Sequence, residues 1–160
     1  IWPSMQFEVA ENCMTCHGLA HPNLKADDLA KMLGAGHPIN TNFELVKYSQ
    51  GSVRHRHYPP DIKTNAEMTP QELANIYAVG QAAALVSATE AMSKSSEAKY
   101  KEAQKKRVEI AKGALSGISE ASGLLAAPTR QNALSFVKSI AGKDLTGAVG
   151  SKLPAKSDYK

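Results

Sequence analysis

The only two cysteines of this 160-residue chain fall in one pentapeptide, Cys13-Met14-Thr15-Cys16-His17, and that clustering constrains the molecule more than any other feature. A structural zinc site would have to draw its remaining ligands from elsewhere, and the usual second Cys or His pair at finger spacing is absent. A redox dithiol of the thioredoxin kind wants a strand-helix-strand setting, whereas the flanking pattern here is helical. A C-x-x-C-H run is the attachment signature of a c-type haem. Two thiols three positions apart on one helical turn each reach a vinyl group of the porphyrin, and the next residue sets an imidazole under the iron. The motif therefore predicts one covalently attached haem c, held through Cys13 and Cys16, with His17 as the proximal ligand. No second C-x-x-C-H is present, so one haem per chain is expected.

The remainder of the chain predicts helices. Aromatic residues make up only 6% of the sequence, and 11 glycines with many alanines point to closely packed helices filling the interior. Hydrophobic residues at 42% and charged residues at 21% are ordinary for a globular protein. Ser4 is placed to cap a first helix that runs from about Met5 through Phe7, Val9 and Ala10 into Cys13. Asn42 to Tyr48 reads as a further helix closed at Gly51. Thr69-Pro70-Gln71-Glu72 is a capping box with proline at the first helical position, followed at helical spacing by Leu73, Ile76, Tyr77 and Gly80. The longest uncharged stretch, 73–89, is shorter and more polar than the roughly 20 apolar residues of a membrane span, and reads as a buried helix. Ile1-Trp2-Pro3 opens without the basic and apolar regions of a leader, so any signal peptide is expected to have been removed already.

With these residues in view, the segment 4–85 resembles a class I c-type cytochrome. Its first helix ends at the haem motif in Cys16-His17-Gly18, the stretch opened by Met68-Thr69-Pro70 is similar to the family's C-terminal helix, and Pro59-Pro60 resembles the proline pair after the distal ligand. The resemblance implies an all-α fold: a cytochrome c-like haem domain over 1–90, followed over 91–160 by a helical hairpin or small helical extension with an irregular C-terminal tail. It also implies electron transfer rather than enzymatic catalysis, and a location in the periplasm or otherwise outside the cytoplasm.

The distal ligand is where this chain departs from the family. Alignment of Pro59-Pro60 sets Tyr58 where a methionine usually stands. The same loop carries His55 and His57, and histidine is the commonest metal ligand. His57 is the expected sixth ligand, with His55 and then Met68 as alternatives and Met32 weaker still. His21 and His37 each precede proline in expected loops and are not assigned a role.

The second half differs in charge. Residues 1–90 hold six Lys/Arg against nine Asp/Glu, while 91–160 hold thirteen against six. Val108, Ala111, Leu115, Ile118, Ser122 and Leu125 form an a/d-type seam, read either as a helical hairpin folding on itself or on the haem domain, or as a docking module of a larger redox complex. Basic residues between Lys99 and Lys112 could steer an acidic redox partner. Nothing in the pattern calls for nucleic acid or a membrane span. Thr129 is placed to cap a last helix that stops at Gly142. Because residues to about Ala88 complete the resemblance, they are expected to hold haem unaided. The functions implied are one-electron transfer, as a soluble carrier or as a subunit of a redox complex, or alternatively a haem enzyme or small-ligand sensor with an open sixth site.

Overall fold

A computed structural model describes residues 3–51 and 67–160. His55, His57, Tyr58 and Pro59-Pro60 lie outside the described residues. Among those described, all regular structure is helical: α1 (Pro3–His17), α2 (Ala26–Gly34), α3 (Leu45–Ser49), α4 (Pro70–Lys94), α5 (Ala98–Leu115), α6 (Ser122–Ala126), α7 (Arg130–Ile140) and α8 (Thr146–Val149), with short 3₁₀ turns beside α6 and α8 and near the C-terminus.

The organising element is α4. Thr69 accepts from the Glu72 amide, and the Glu72 carboxylate accepts from the Thr69 amide at 2.7 Å, so the capping box closes as the sequence predicts. Small residues then run through the helix, and consecutive positions from Ala74 to Val86 are buried on every side. A helix apolar all round its circumference has to be surrounded. Helices α1, α3, α5, α7 and α8 all pack on it. Gly80 marks the tightest approach: a Cβ there would press on the Leu45 Cβ of α3, so glycine lets that short helix close in.

One contiguous core joins both halves of the chain. Phe7 and Met14 of α1 and Val46 of α3 share it with Leu115, Phe136 and Val149 from the second half. The expected boundary at residue 90 falls inside α4, and the second half folds back over the first. A smaller cluster under α2 joins Leu19 and Leu29 to Tyr100 of α5.

Local differences from the sequence reading have physical causes. Helix α1 begins at Pro3, so Ser4 lies within it rather than capping it. Helix α3 starts only at Leu45, because the Glu44 carboxylate caps it, accepting from the Val46 and Lys47 amides at 2.8 Å each. The expected seam does not lie on one helix. Helix α5 ends at Leu115, and the Lys152 ammonium donates to the carbonyls of Gly113 and Ala114 at that end. Ser122 is exposed, and Ala121 and Leu124 take the buried positions instead. Thr129 caps α7 as expected, accepting from Asn132 N, and Gly142 stops the helix with a positive φ of 74°. The C-terminal stretch, expected to be irregular, is ordered into short turns: Leu145 and Val149 are buried, and the Lys160 amide donates to Lys47 O at 2.9 Å.

Candidate functional site

The motif occupies the last turn of α1. At about 100° per residue, Cys13, Cys16 and His17 share an arc of about 100° on that helix. The buried face of α1 is a neighbouring one, carried by Phe7, Ala10 and Met14. Cys13 is half-buried at the margin of the core, while Cys16 and His17 are exposed. The thiol stripe continues down the helix through Val9 and Met5, which are 39% and 47% exposed. Val9 thus lies on a different face of the helix from the buried Phe7 and Ala10. The motif therefore lies on a face that the described protein covers only in part, at Cys13 and on one side of His17.

The His17 ring is held from one side. It stacks on Phe43 with centroids 4.1 Å apart and planes 13° from parallel, and Tyr48 of α3 tilts against both rings. Asn40 ties the group together: its amide N donates to His17 O at 3.0 Å and its side chain donates to the Tyr48 hydroxyl at 3.0 Å. Partial burial lowers the His17 pKa, which favours the neutral imidazole that a metal requires. Burial raises the Cys13 thiol instead, opposite to the lowered attacking thiol of a redox dithiol.

On the other side, the turn leaving the motif is fully accounted for. Gly18 N donates to Met14 O, Ala20 N to Thr15 O and Leu19 N to Cys16 O, which is a Schellman closure. The left-handed position of that closure, normally glycine, is Leu19 at φ 46°. For a side-chain-bearing residue this costs about 1–2 kcal/mol, and it persists only where surroundings over-determine it. Those surroundings come from α5. The Tyr100 hydroxyl donates to Leu19 O at 2.6 Å, Gln104 Nε2 to Gly18 O at 3.0 Å, and Arg107 Nη1 to Gly18 O at 3.3 Å and to Gln104 Oε1 at 2.6 Å. Arg107 Nη2 reaches the Met14 sulfur at 3.4 Å and the Ser87 hydroxyl at 3.5 Å.

These three α5 side chains are 1%, 0% and 3% exposed, respectively. Among the described residues, no contact of Arg107 is a carboxylate. Burial lowers its pKa to about 10, so it stays a cation at neutral pH, opposed by the carbonyl end of α1. Gly18 is what admits it: a Cβ there would collide with the guanidinium. The sequence reading missed this trio because it followed apolar positions. Stepping the seam backwards from Ala111 by four, three and four gives 107, 104 and 100, which was the available signal.

The other sequence candidates are dispersed. Met68 packs on the main core and its sulfur accepts from the Gln50 amide at 3.6 Å. Met32 belongs to the cluster under α2. His21 Nδ1 accepts from the Asn23 amide at 3.2 Å, and His37 Nδ1 lies 2.8 Å from Pro38 O, so each is engaged in its own turn. Among the described residues there is no group of three His, Cys, Asp or Glu that could hold a metal ion by itself, and no helix is long and apolar enough to cross a membrane.

The donor set nevertheless fits a c-type haem. Two thiols and an imidazole lie at the required spacing on one partly open face, and an aromatic ring stacks on the imidazole. Comparison with protein-family models, with curated proteins and with solved structures finds no match to this chain.

Proposed function

We propose that the chain is a monohaem c-type electron-transfer protein, resembling class I cytochromes in its first half. Cys13 and Cys16 would tether the group and His17 would ligate its iron; when bound, haem supplies a one-electron couple. The observation that supports this best is the partly open arc of α1 on which those residues lie together with exposed Val9 and Met5. Val9 and Met5 continue the line of the thiols along α1, so a group tethered there would have apolar side chains beside it.

The protein's own residues do the rest. Phe43 sets the plane of the His17 ring, Asn40 fixes the end of the helix that carries it, and the α5 trio holds the turn beyond. In this reading the protein is a carrier or a subunit of a redox complex rather than an enzyme. It acts outside the cytoplasm, and the exposed lysines of α5, among them Lys101, Lys105 and Lys112, would face an acidic redox partner. His57 remains the proposed sixth ligand, with His55 and Met68 as substitutes.

Expression with a haem-attachment system tests the reading. The wild-type chain should carry one haem that resists acidified organic solvent and cycles reversibly between two redox states. Cys13→Ala/Cys16→Ala should carry none. A wild-type chain that takes up no covalent haem, or a double variant that keeps it, would overturn the proposal.

A further inference from the structure

Burying a charged side chain without an opposite charge is costly, and proteins usually supply a carboxylate or let the group lose its proton. Among the described residues Arg107 meets no carboxylate: at 3% exposure its guanidinium lies against two carbonyl-type oxygens, a hydroxyl and a sulfur. Its counter-charge is the negative end of the α1 macrodipole, whose last free carbonyl at Gly18 it shares with Gln104. The two α1 groups it touches, the Met14 sulfur and the Gly18 carbonyl, belong to residues on either side of Cys16 and His17. Gly18 keeps the space open for it, and the left-handed Leu19 next door is fastened by Tyr100. A fully buried Arg on a helix that needs only an apolar stripe is unexplained by packing alone, since Leu or Met would fill the volume without the desolvation penalty.

We infer that Arg107 is a positioning residue for the motif turn and a fixed positive charge that biases the site toward the reduced state, with Gln104 aligning the guanidinium and Tyr100 locking the turn. This inference rests on the haem reading above. A cation held in a low-dielectric interior beside the motif opposes the extra positive charge of the oxidised iron more than the same cation would in water. Its removal therefore lowers the reduction potential, whereas loss of a hydrogen bond that leaves the charge in place does not.

The test compares Arg107→Gln, Arg107→Lys and Tyr100→Phe with wild type, all matured with haem, by redox titration, visible spectrum and amide exchange. Arg107→Gln should titrate at a lower potential with an unchanged ligand spectrum. Arg107→Lys, which keeps the charge but not the two-point grip, should hold the potential while exchange at Gly18, Leu19 and Ala20 quickens. Tyr100→Phe should quicken the same amides and leave the potential unchanged. Equal potentials in wild type and Arg107→Gln would overturn the inference with the haem reading intact, while absence of covalent haem in wild type would overturn the reading itself. If Arg107→Gln does not fold, Arg107→Lys decides alone: a potential lowered despite the retained charge refutes the electrostatic role, and unchanged amide exchange refutes the positioning role.

Discussion

Two arginines from the second half of the chain grip α1, and they do so in opposite ways. Arg107 reaches the C-terminal turn, is buried, and meets neutral acceptors. Arg130, the first residue of α7, reaches the exposed flank, with Nε at 3.0 Å from the Glu11 carboxylate and Nη2 at 3.7 Å from that of Glu8. By inventory of opposite charges Arg130 is the stronger tie; by physics it is the weaker one. Its side chain is 46% exposed, so water screens the pair, whereas the bonds of Arg107 are made away from water, and its loss would take from the buried Gln104 Oε1 a donor at 2.6 Å. The motif turn is thus secured from inside the molecule, and its thiol face is left partly open.

The largest test of that contrast removes both grips at once. Truncation after Ala88 deletes α5 and α7 and with them Tyr100, Leu115, Phe136 and Ile140, all buried in cores shared with the first half. The sequence alone led us to expect a self-sufficient domain ending there. The shared core predicts the reverse: the fragment should lack a cooperative thermal transition and expose apolar surface to a hydrophobic dye. A cooperative transition near that of the full chain would mean that α4 buries its remaining faces without the second half.

An intermediate effect is expected from Tyr100→Phe, which removes one buried hydroxyl and nothing else. Leu19 O loses its 2.6 Å partner and keeps only Gln104 Nε2 at 3.5 Å, a loss of roughly 0.5–1.5 kcal/mol that is enough to lower the unfolding midpoint measurably. The loss should not depend on ionic strength, because no charge is removed.

How far the sequence foretold all this depends on the kind of signal each element carries. Helix α4 was legible from its capping box and α7 from Thr129, because a cap is a local bargain between a side chain and the amides two or three residues on. The Cys13, Cys16 and His17 arc followed from spacing alone. What periodicity could not reveal was the polar trio of α5, since Tyr100, Gln104 and Arg107 are buried by virtue of carbonyls 81 to 89 residues away. Nor could it break the seam at Leu115, where Lys152 from the far end of the chain caps the helix. Leu19 at positive φ is the same lesson: the glycine expected at that closure stands one place earlier, where the guanidinium needs the space.

The smallest effect belongs to Arg130. Glu8 and Glu11 lie one turn apart on α1, and the Arg130 guanidinium spans them while its Cζ sits 5.8 Å from the Phe7 ring centroid. Neighbouring carboxylates raise its pKa above an already high value, so the group is charged at any ordinary pH and only its partners can be titrated away. An exposed pair of this kind is worth about 0–1 kcal/mol, and a second carboxylate adds little once salt is present. Arg130→Ala should therefore lower the unfolding midpoint slightly at low salt and not at all near roughly 1 M salt, where the Debye length falls to about 3 Å. The measurement is a pair of melting curves at the two ionic strengths, run beside Tyr100→Phe. A loss for Arg130→Ala that survives high salt would trace to its aliphatic stem and guanidinium lying over Phe7 rather than to the ion pairs, and would make the outer grip a packing contact like the inner one.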